Sequence, residues 1–277
     1  MTYKFAIMII SHKRADTQLT YETLMRTNYT GAVYILVDDE DPQLEDYIKN
    51  YGDIVKVFNK DKMLEITETV DNFQNKTNCV LPSTYCRLLA EELKLDYYMR
   101  IDDDISSIRE RYVENGKLKG RDIKNIDKIF NAFIKYMENT NISCLSFGNE
   151  GGYIGGANGK FKKEIGRNNN QNFIMKTKDD LHFIGTRSED FCMIANYSKV
   201  GKLIYEIYKI AIRSPERGSN EGGLQDDYAK AGLYVANFYG IIVAPYCCKI
   251  IERNNKFTLK RDWDKFGPML ISEEYKK

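Results

Sequence analysis

The segment Tyr97-Tyr98-Met99-Arg100-Ile101-Asp102-Asp103-Asp104-Ile105 constrains the fold of this chain more than any other. A short, mainly apolar run reads as a buried strand, and it stops on three adjacent carboxylates that repel one another. A fold that seats three acids at a strand end needs a compensating charge. A hard divalent cation supplies one, because it takes oxygen ligands and each carboxylate offers two. Residues i and i+2 of an extended segment share a face, so Asp102 and Asp104 point together while Asp103 turns away. That geometry suits a metal–diphosphate complex; a solvated acidic turn is the plain alternative.

Bulk properties set the outer limits. A chain of 277 residues can bury one large α/β core or two smaller ones. The formal net charge of +1 excludes a global field, so a polyanionic partner has to be met by a local patch. The first apolar run, Phe5 to Ile10, is too short for a secretory leader, and no stretch approaches the length of a membrane span. None of the six cysteines forms a C-x-x-C pair, and several sit inside apolar runs. A reduced, cytoplasmic protein without a membrane partner is expected.

Strand-like and helix-like segments alternate through the first half. The continuous apolar run Tyr3 to Ile10 reads as a strand covered on both faces, and Val33 to Val37, Ile54 to Phe58 and Tyr97 to Ile101 read as the second, third and fourth strands. Helices are expected over Asp16 to Arg26, with Asp16 or Thr17 as N-cap, from Asp41-Pro42 to Tyr51-Gly52, and over Ser83 to Leu95. Residues 60–80 are ambiguous. Further on, the pattern predicts a helix over Asp122 to Met137, a strand over Ile142 to Phe147 and a long glycine- and asparagine-rich loop over 148–172. It then predicts a strand over Phe191 to Ala195, a helix over Val200 to Ile212, a short helix over Leu224 to Ala231 and strands within Leu233 to Ala244. The β-α-β-α-β order argues for an α/β fold with a mostly parallel sheet.

Polar clusters follow successive strands: Ser11-His12-Lys13-Arg14, Asp38-Asp39-Glu40 and Asp102 to Asp104, with Gly222 to Asp227 as a fourth. In open α/β sheets ligands bind beyond the carboxyl ends of the strands, so the first three clusters should gather at one edge.

This ordered set resembles the GT-A class of nucleotide-sugar glycosyltransferases. The resemblance rests on the opening strand with Ser11 to Arg14, the second strand with Asp38-Asp39, the helix containing Arg87, Asp102-x-Asp104 as D-x-D, and the late Gln225-Asp226-Asp227. A narrower likeness runs through Val37-Asp38-Asp39-Glu40, Tyr47, Tyr51-Gly52, Arg87 and Ile101 to Ile105. It is similar to the TET-associated glycosyltransferases of phages, which glycosylate hydroxymethylated pyrimidines in DNA. The implied fold is a single GT-A-like, Rossmann-type domain over 1–277. Residues 1–104 would bind the nucleotide-sugar, 105–245 would hold the acceptor and the catalytic residues, and 246–277 would form a tail. For a phage-encoded chain the compartment would be the host cytoplasm.

The resemblance also implies roles. Asp104, with Asp102, would hold Mn²⁺ or Mg²⁺, and the metal would neutralise the diphosphate of a UDP-sugar. Asp38 or Asp39 would accept hydrogen bonds from the donor's base or ribose, with a solvated turn as the alternative for the one that points outward, and His12 would contact the base or stand as an ordinary loop histidine. Arg14 and Arg87 would reach the diphosphate or the base, since a guanidinium fork matches phosphate oxygens. For Arg87 a surface pair with Glu91, four residues on, is the competitor. Ser11 and Asp103 complete the expected donor site. Asp227, with Asp226, would be the catalytic base, and Glu189-Asp190 competes for that role. The class often carries a late histidine as a third metal ligand. The only histidines here are His12 and His182, so an acid, water or His182 would have to serve.

The expected acceptor is DNA, met by the basic loop Gly155 to Lys178 with Lys160, Lys162, Lys163, Arg167, Lys176 and Lys178, and with Phe161 and Phe173 to stack on bases. A protein or glycan acceptor, a D-x-D phosphohydrolase using Ser106 or Ser107, and an inactive nucleotide-sugar or nucleic-acid binding module are the rival readings.

Overall fold

The computed structural model of the protein describes residues 3–167, 170–215, 235–253, 255–262 and 265. Four parallel strands form the first half of one large sheet: β1 (Phe5–Ile10), β2 (Ala32–Asp38), β3 (Val55–Phe58) and β4 (Tyr97–Asp102), in spatial order β3-β2-β1-β4. The connecting helices are α1 (Leu19–Arg26), α2 (Leu44–Tyr51), α3 (Lys60–Ile66) and α4 (Val80–Glu92). Both faces of β1 are covered, which is why it reads as an unbroken apolar run. Phe5, Ile7 and Ile9 pack with Leu24, Tyr47 and Phe130, whereas Met8 and Ile10 pack with Leu81, Cys86 and Leu89.

Beyond β4 the sheet turns mixed. The second half adds β5 (Ser107–Glu114), β6 (Lys117–Asp122), α5 (Ile126–Thr140), β7 (Cys144–Asn149), the two-residue β8 (Ile165–Gly166), β9 (Asn172–Lys176), α6 (Glu189–Ser198) and β10 (Ile204–Arg213). The order continues β4-β9-β7-β10-β5-β6, with β9 antiparallel to both β4 and β7. The β7–β9 register ends at Leu145↔Ile174, and there the buried Asn172 amide takes over. Its oxygen accepts from Phe147 N at 2.7 Å and its nitrogen donates to Phe147 O at 3.2 Å, in place of ladder bonds. Helix α7 (Val235–Val243) and the hairpin β11 (Cys248–Arg253)–β12 (Lys256–Arg261) close the described chain. All six cysteines are unpaired thiols. Among the described residues no helix is long and apolar enough to cross a membrane.

Several expectations are corrected. Helix α1 begins at Leu19 with Gln18 before it, so neither Asp16 nor Thr17 caps it. Helix α2 begins at Leu44, two residues past Pro42, because Asp41 Oδ1 accepts from Gln43 N at 2.8 Å and holds a turn there. Helix α4 starts three residues earlier than expected, and α5 is capped by Asn125, whose Oδ1 accepts from Lys128 N at 3.1 Å. Phe191 to Ala195 is helix, not strand; all five residues are buried, and a helix enclosed on every side shows no periodicity. Ile204 to Arg213 is strand, not helix, and its buried Ile204, Glu206 and Tyr208 recur with period two. Residues 235–243 are helix where strands were expected. The β5–β6 hairpin, absent from the expectations, turns on Asn115-Gly116 with both residues at positive φ (51° and 73°), as a two-residue turn of this kind requires. The expected helix Leu224 to Ala231 and Gln225-Asp226-Asp227 lie outside the described residues.

The basic loop is also revised. Its second half is β9, a fully buried central strand, and Phe173 and Phe161 both lie in the core. Neither ring is available to a base. Lys176 is buried and donates to Met137 O at 3.1 Å, and Lys160 sits 3.2 Å from Glu206. Lys162, Lys163 and Lys178 stay exposed.

Candidate active site

The pairings Ile10↔Leu36 and Ile10↔Asp102 put the ends of β1, β2 and β4 level, so their polar clusters meet at one sheet edge. Asp103 turns inward, as its place between two outward neighbours requires. It is 4% exposed, accepts from Ser11 Oγ at 2.6 Å and is ion-paired to Arg14. Ser11 Oγ in turn receives Gln18 Nε2 at 2.7 Å and lies 2.7 Å from Tyr47 OH. The start of α1 clamps the acidic turn: Thr20 Oγ1 donates to Asp102 O at 2.6 Å and accepts from Ile105 N at 2.9 Å, and Thr23 Oγ1 donates to Ile105 O at 2.8 Å. Gln18, Thr20, Thr23 and Tyr47 are thus positioning residues.

Beyond the end of β2, His12 Nδ1 lies 2.8 Å from Asp38 and 3.0 Å from Asp41, and Lys60 Nζ lies 2.9 Å from Asp38. Burial works to lower the His12 pKa, but hydrogen bonds and charge from Asp38 and Asp41 win and raise it to about 9. Burial works to raise the Asp38 and Asp41 carboxyls, and their cationic and backbone partners bring both below the ordinary value. Ligand atoms of His12, Asp38 and Asp41 come within 4.8 Å of one another, close enough to share a cation. The Lys60 ammonium already supplies that charge. Asp39 faces outward and is tied to Asn59 and to Lys60 N, the latter at 3.0 Å.

Acids dominate the β4 side. Arg100, 2% exposed, lies 2.8 Å from Asp102 and 3.5 Å from Glu189, with its Nε donating to Ser83 Oγ at 3.2 Å. Phe173 and Phe183 lie near its guanidinium, with ring centroids 5.7 and 5.5 Å away. Glu189 and Asp190 open α6, where the helix dipole favours negative charge. Burial raises the Glu189 carboxyl to about 7, with Asp190 adding to the rise and Arg100 opposing it. Burial raises Asp102 to about 6; Arg100 opposes that, and Asp104 and Asp190 add to it. Burial and the Asp103 charge likewise raise Asp104. Asp104 Oδ1 is buried without a hydrogen-bond partner, and the nearest cation to its other oxygen is Arg14 at 3.9 Å. Asp102, Asp104, Glu189 and Asp190 outnumber the cations facing them. Asp102 and Asp104 offer oxygen ligands only, and the orphaned Asp104 oxygen fits a hard divalent cation, whereas the one trio of ligand groups within 4.8 Å of one another among the described residues is His12, Asp38 and Asp41.

Of the expected site residues, the structure brings together Ser11, His12, Arg14, Asp38, Asp39, Asp102, Asp103 and Asp104. Arg87 pairs with Glu91 at 2.7 Å and Asp180 at 3.2 Å, on the outer side of α4. His182 lies beside it, 2.8 Å from Asp180, and no described contact joins either residue to the acidic cluster. Ser106 Oγ donates to Arg213 O at 3.0 Å, stitching β5 to β10. Arg100 escaped the sequence reading, although a lone arginine inside an apolar strand, two residues before the first acid, is a signal for a buried ion pair. Lys60 lies in the segment whose pattern is ambiguous, and Glu189-Asp190, expected as a competing base ahead of a strand, forms instead the first turn of helix α6.

The family model of the TET-associated glycosyltransferases matches residues 5–223. Solved structures of similar shape include glucosyl-3-phosphoglycerate synthase from Mycobacterium tuberculosis in complex with Mg²⁺ and UDP. It is 11% identical at a TM-score of 0.48, over 94% of this chain and 87% of that one. Mannosyl-3-phosphoglycerate synthase from Rubrobacter xylanophilus is 10% identical at a TM-score of 0.48, over 98% and 88% of the two chains. No curated protein matches the chain in sequence.

Proposed function

This chain belongs to the TET-associated glycosyltransferase family, and from that membership we propose that it moves glucose from UDP-glucose to the hydroxyl of a 5-hydroxymethylpyrimidine in DNA. The observation that carries the donor half is the acidic cluster at the shared strand edge, above all the buried, partnerless Asp104 Oδ1. Asp104 and Asp102 would hold Mn²⁺ or Mg²⁺, which when bound neutralises the departing diphosphate.

The chain's own residues do the rest. Asp38, with His12 and Lys60 fixing it, and the outward Asp39 receive the base and ribose. Arg14 holds Asp103, and through Ser11 and Tyr47 it keeps the β1 and β2 loops level. The acceptor oxygen forms a bond to the anomeric carbon as the bond to the diphosphate breaks, and its proton goes to a carboxylate. Asp190 is the described candidate: Glu189 beside it is committed to Arg100, while Asp190 opens α6 close enough to disturb Asp102. Asp227, with Asp226, is the other candidate base. A carboxylate that takes the proton directly favours inversion at the anomeric carbon.

The test supplies UDP-glucose and Mn²⁺ with 5-hydroxymethylcytosine DNA, a protein panel and a glycan panel, and follows hexose gain by mass spectrometry. Gain on the modified DNA alone supports the reading. Gain only on protein or glycan removes the DNA acceptor and keeps the enzyme class.

A further inference from the structure

The loop over residues 67–78, between α3 and α4, is strapped across two walls of the site. At one end Lys76 Nζ lies 2.9 Å from Glu40 and 2.7 Å from Asp61, next to the β2 end. At the other, Asp71 Oδ2 accepts from Thr186 Oγ1 and from Tyr239 OH, each at 2.6 Å. Gly185 N donates to Glu68 O at 2.8 Å and Thr186 N to Thr69 O at 3.2 Å, directly ahead of Glu189 and Asp190. Between the anchors stand Asn72, Phe73 and Gln74, all exposed, with Phe73 at 77%.

Two further features set this tip apart from an ordinary exposed side chain. Val70 has φ 64°, a conformation that a β-branched residue adopts at a cost of about 1–3 kcal/mol, and Gln74 has φ 55°. Asp71 Oδ1 accepts from Phe73 N at 2.9 Å and fixes the turn between them. A strained, doubly anchored loop therefore presents one bare aromatic ring between two free-ended amide side chains. Rings stack on nucleobases, and amides read their edges.

We propose that Asn72-Phe73-Gln74 is an acceptor-binding element whose ring stacks on an unstacked nucleobase of the DNA, with the flanking amides on its polar edge. This rests on the DNA-acceptor reading above and deepens it. It also replaces Phe161 and Phe173, the buried rings, as the source of stacking.

The test measures anisotropy of a fluorescein-labelled duplex carrying one 5-hydroxymethylcytosine, using the full chain and its Phe73→Ala and Phe73→Trp variants. Phe73→Ala should weaken binding roughly 5- to 150-fold, the usual worth of one stacked base, and Phe73→Trp should restore it. Stabilisation by UDP-glucose with Mn²⁺ should be the same in all three proteins. Equal affinity of Phe73→Ala and wild type, or no binding by wild type, overturns the proposal, and so does a matching loss of affinity for a protein acceptor. Hexose transfer is read separately on the same duplex. Transfer without dependence on Phe73 sinks the stacking element and leaves the function standing. Phe73-dependent binding without transfer does the reverse.

Discussion

The Arg100 guanidinium lies 2.8 Å from the Asp102 carboxylate, inside the protein, and reaches 3.5 Å to Glu189 on α6. One buried cation thus ties the strand that would hold the metal to the helix that carries the candidate base. Replacing Arg100 with Met should destabilise the protein by about 3–5 kcal/mol, because Asp102 and Glu189 are left without their shared counter-charge. Urea unfolding measures this. A loss under 1 kcal/mol would show that the acids hold their places without it.

Asp104 should behave in the opposite way. Its buried Oδ1 has no hydrogen-bond partner to lose, and burial with the Asp103 charge outweighs Arg14 at 3.9 Å, so Asp104→Asn should leave the melting temperature unchanged or raise it. The same variant should lose Mn²⁺-dependent stabilisation by UDP-glucose, and turnover should fall by more than the roughly 100-fold typical of changes in residues that only support a metal ligand. Chelation by EDTA should reproduce the loss in the wild-type protein. Donor-dependent stabilisation that survives both would remove Asp104 from the metal site.

The base is separable from the donor site. Asp190→Asn should lower kcat by roughly 10²–10⁴-fold while UDP-glucose affinity stays within a few fold. An unchanged kcat would pass the role to Asp227, and Asp227→Asn then becomes the decisive variant.

His12 makes stability depend on pH. Its folded pKa of about 9 lies above the ordinary 6.5, so its contribution is complete below pH 6.5 and is lost as pH rises through 9. Unfolding free energy should therefore decline across that window by on the order of 2–3 kcal/mol, and His12→Ala should flatten the decline. Urea titrations at the two ends of the window check the slope. Equal slopes in both proteins would mean that the histidine is not held as a cation between Asp38 and Asp41.

The readable part of this chain was the part in which local pattern and tertiary role coincide. Phe5 to Ile10 and Tyr97 to Asp102 are covered on both faces, so their apolar runs announce buried parallel strands. Residues at i and i+2 must share a face, which separates Asp103 from Asp102 and Asp104. In the second half that coincidence fails. Phe191 to Ala195 looks like a strand because α6 is enclosed on every side. Ile204 to Arg213 looked helical although its burial alternates. The Asn115-Gly116 turn of the β5–β6 hairpin is a local signal, since both residues tolerate the positive φ it needs.

Local pattern along the chain is enough for a parallel α/β half with acids at its strand ends, because strand burial and side-chain alternation are local properties. Tertiary structure alone decided what those acids face. Arg100 joins Asp102 to a glutamate 87 positions further along the chain, as 189 − 102 gives. Asp103 is spent on Ser11 and Arg14, and the loop bearing Phe73 is strapped to both β2 and α6. Such pairings are set by which elements pack against which, and no spacing along the chain encodes them.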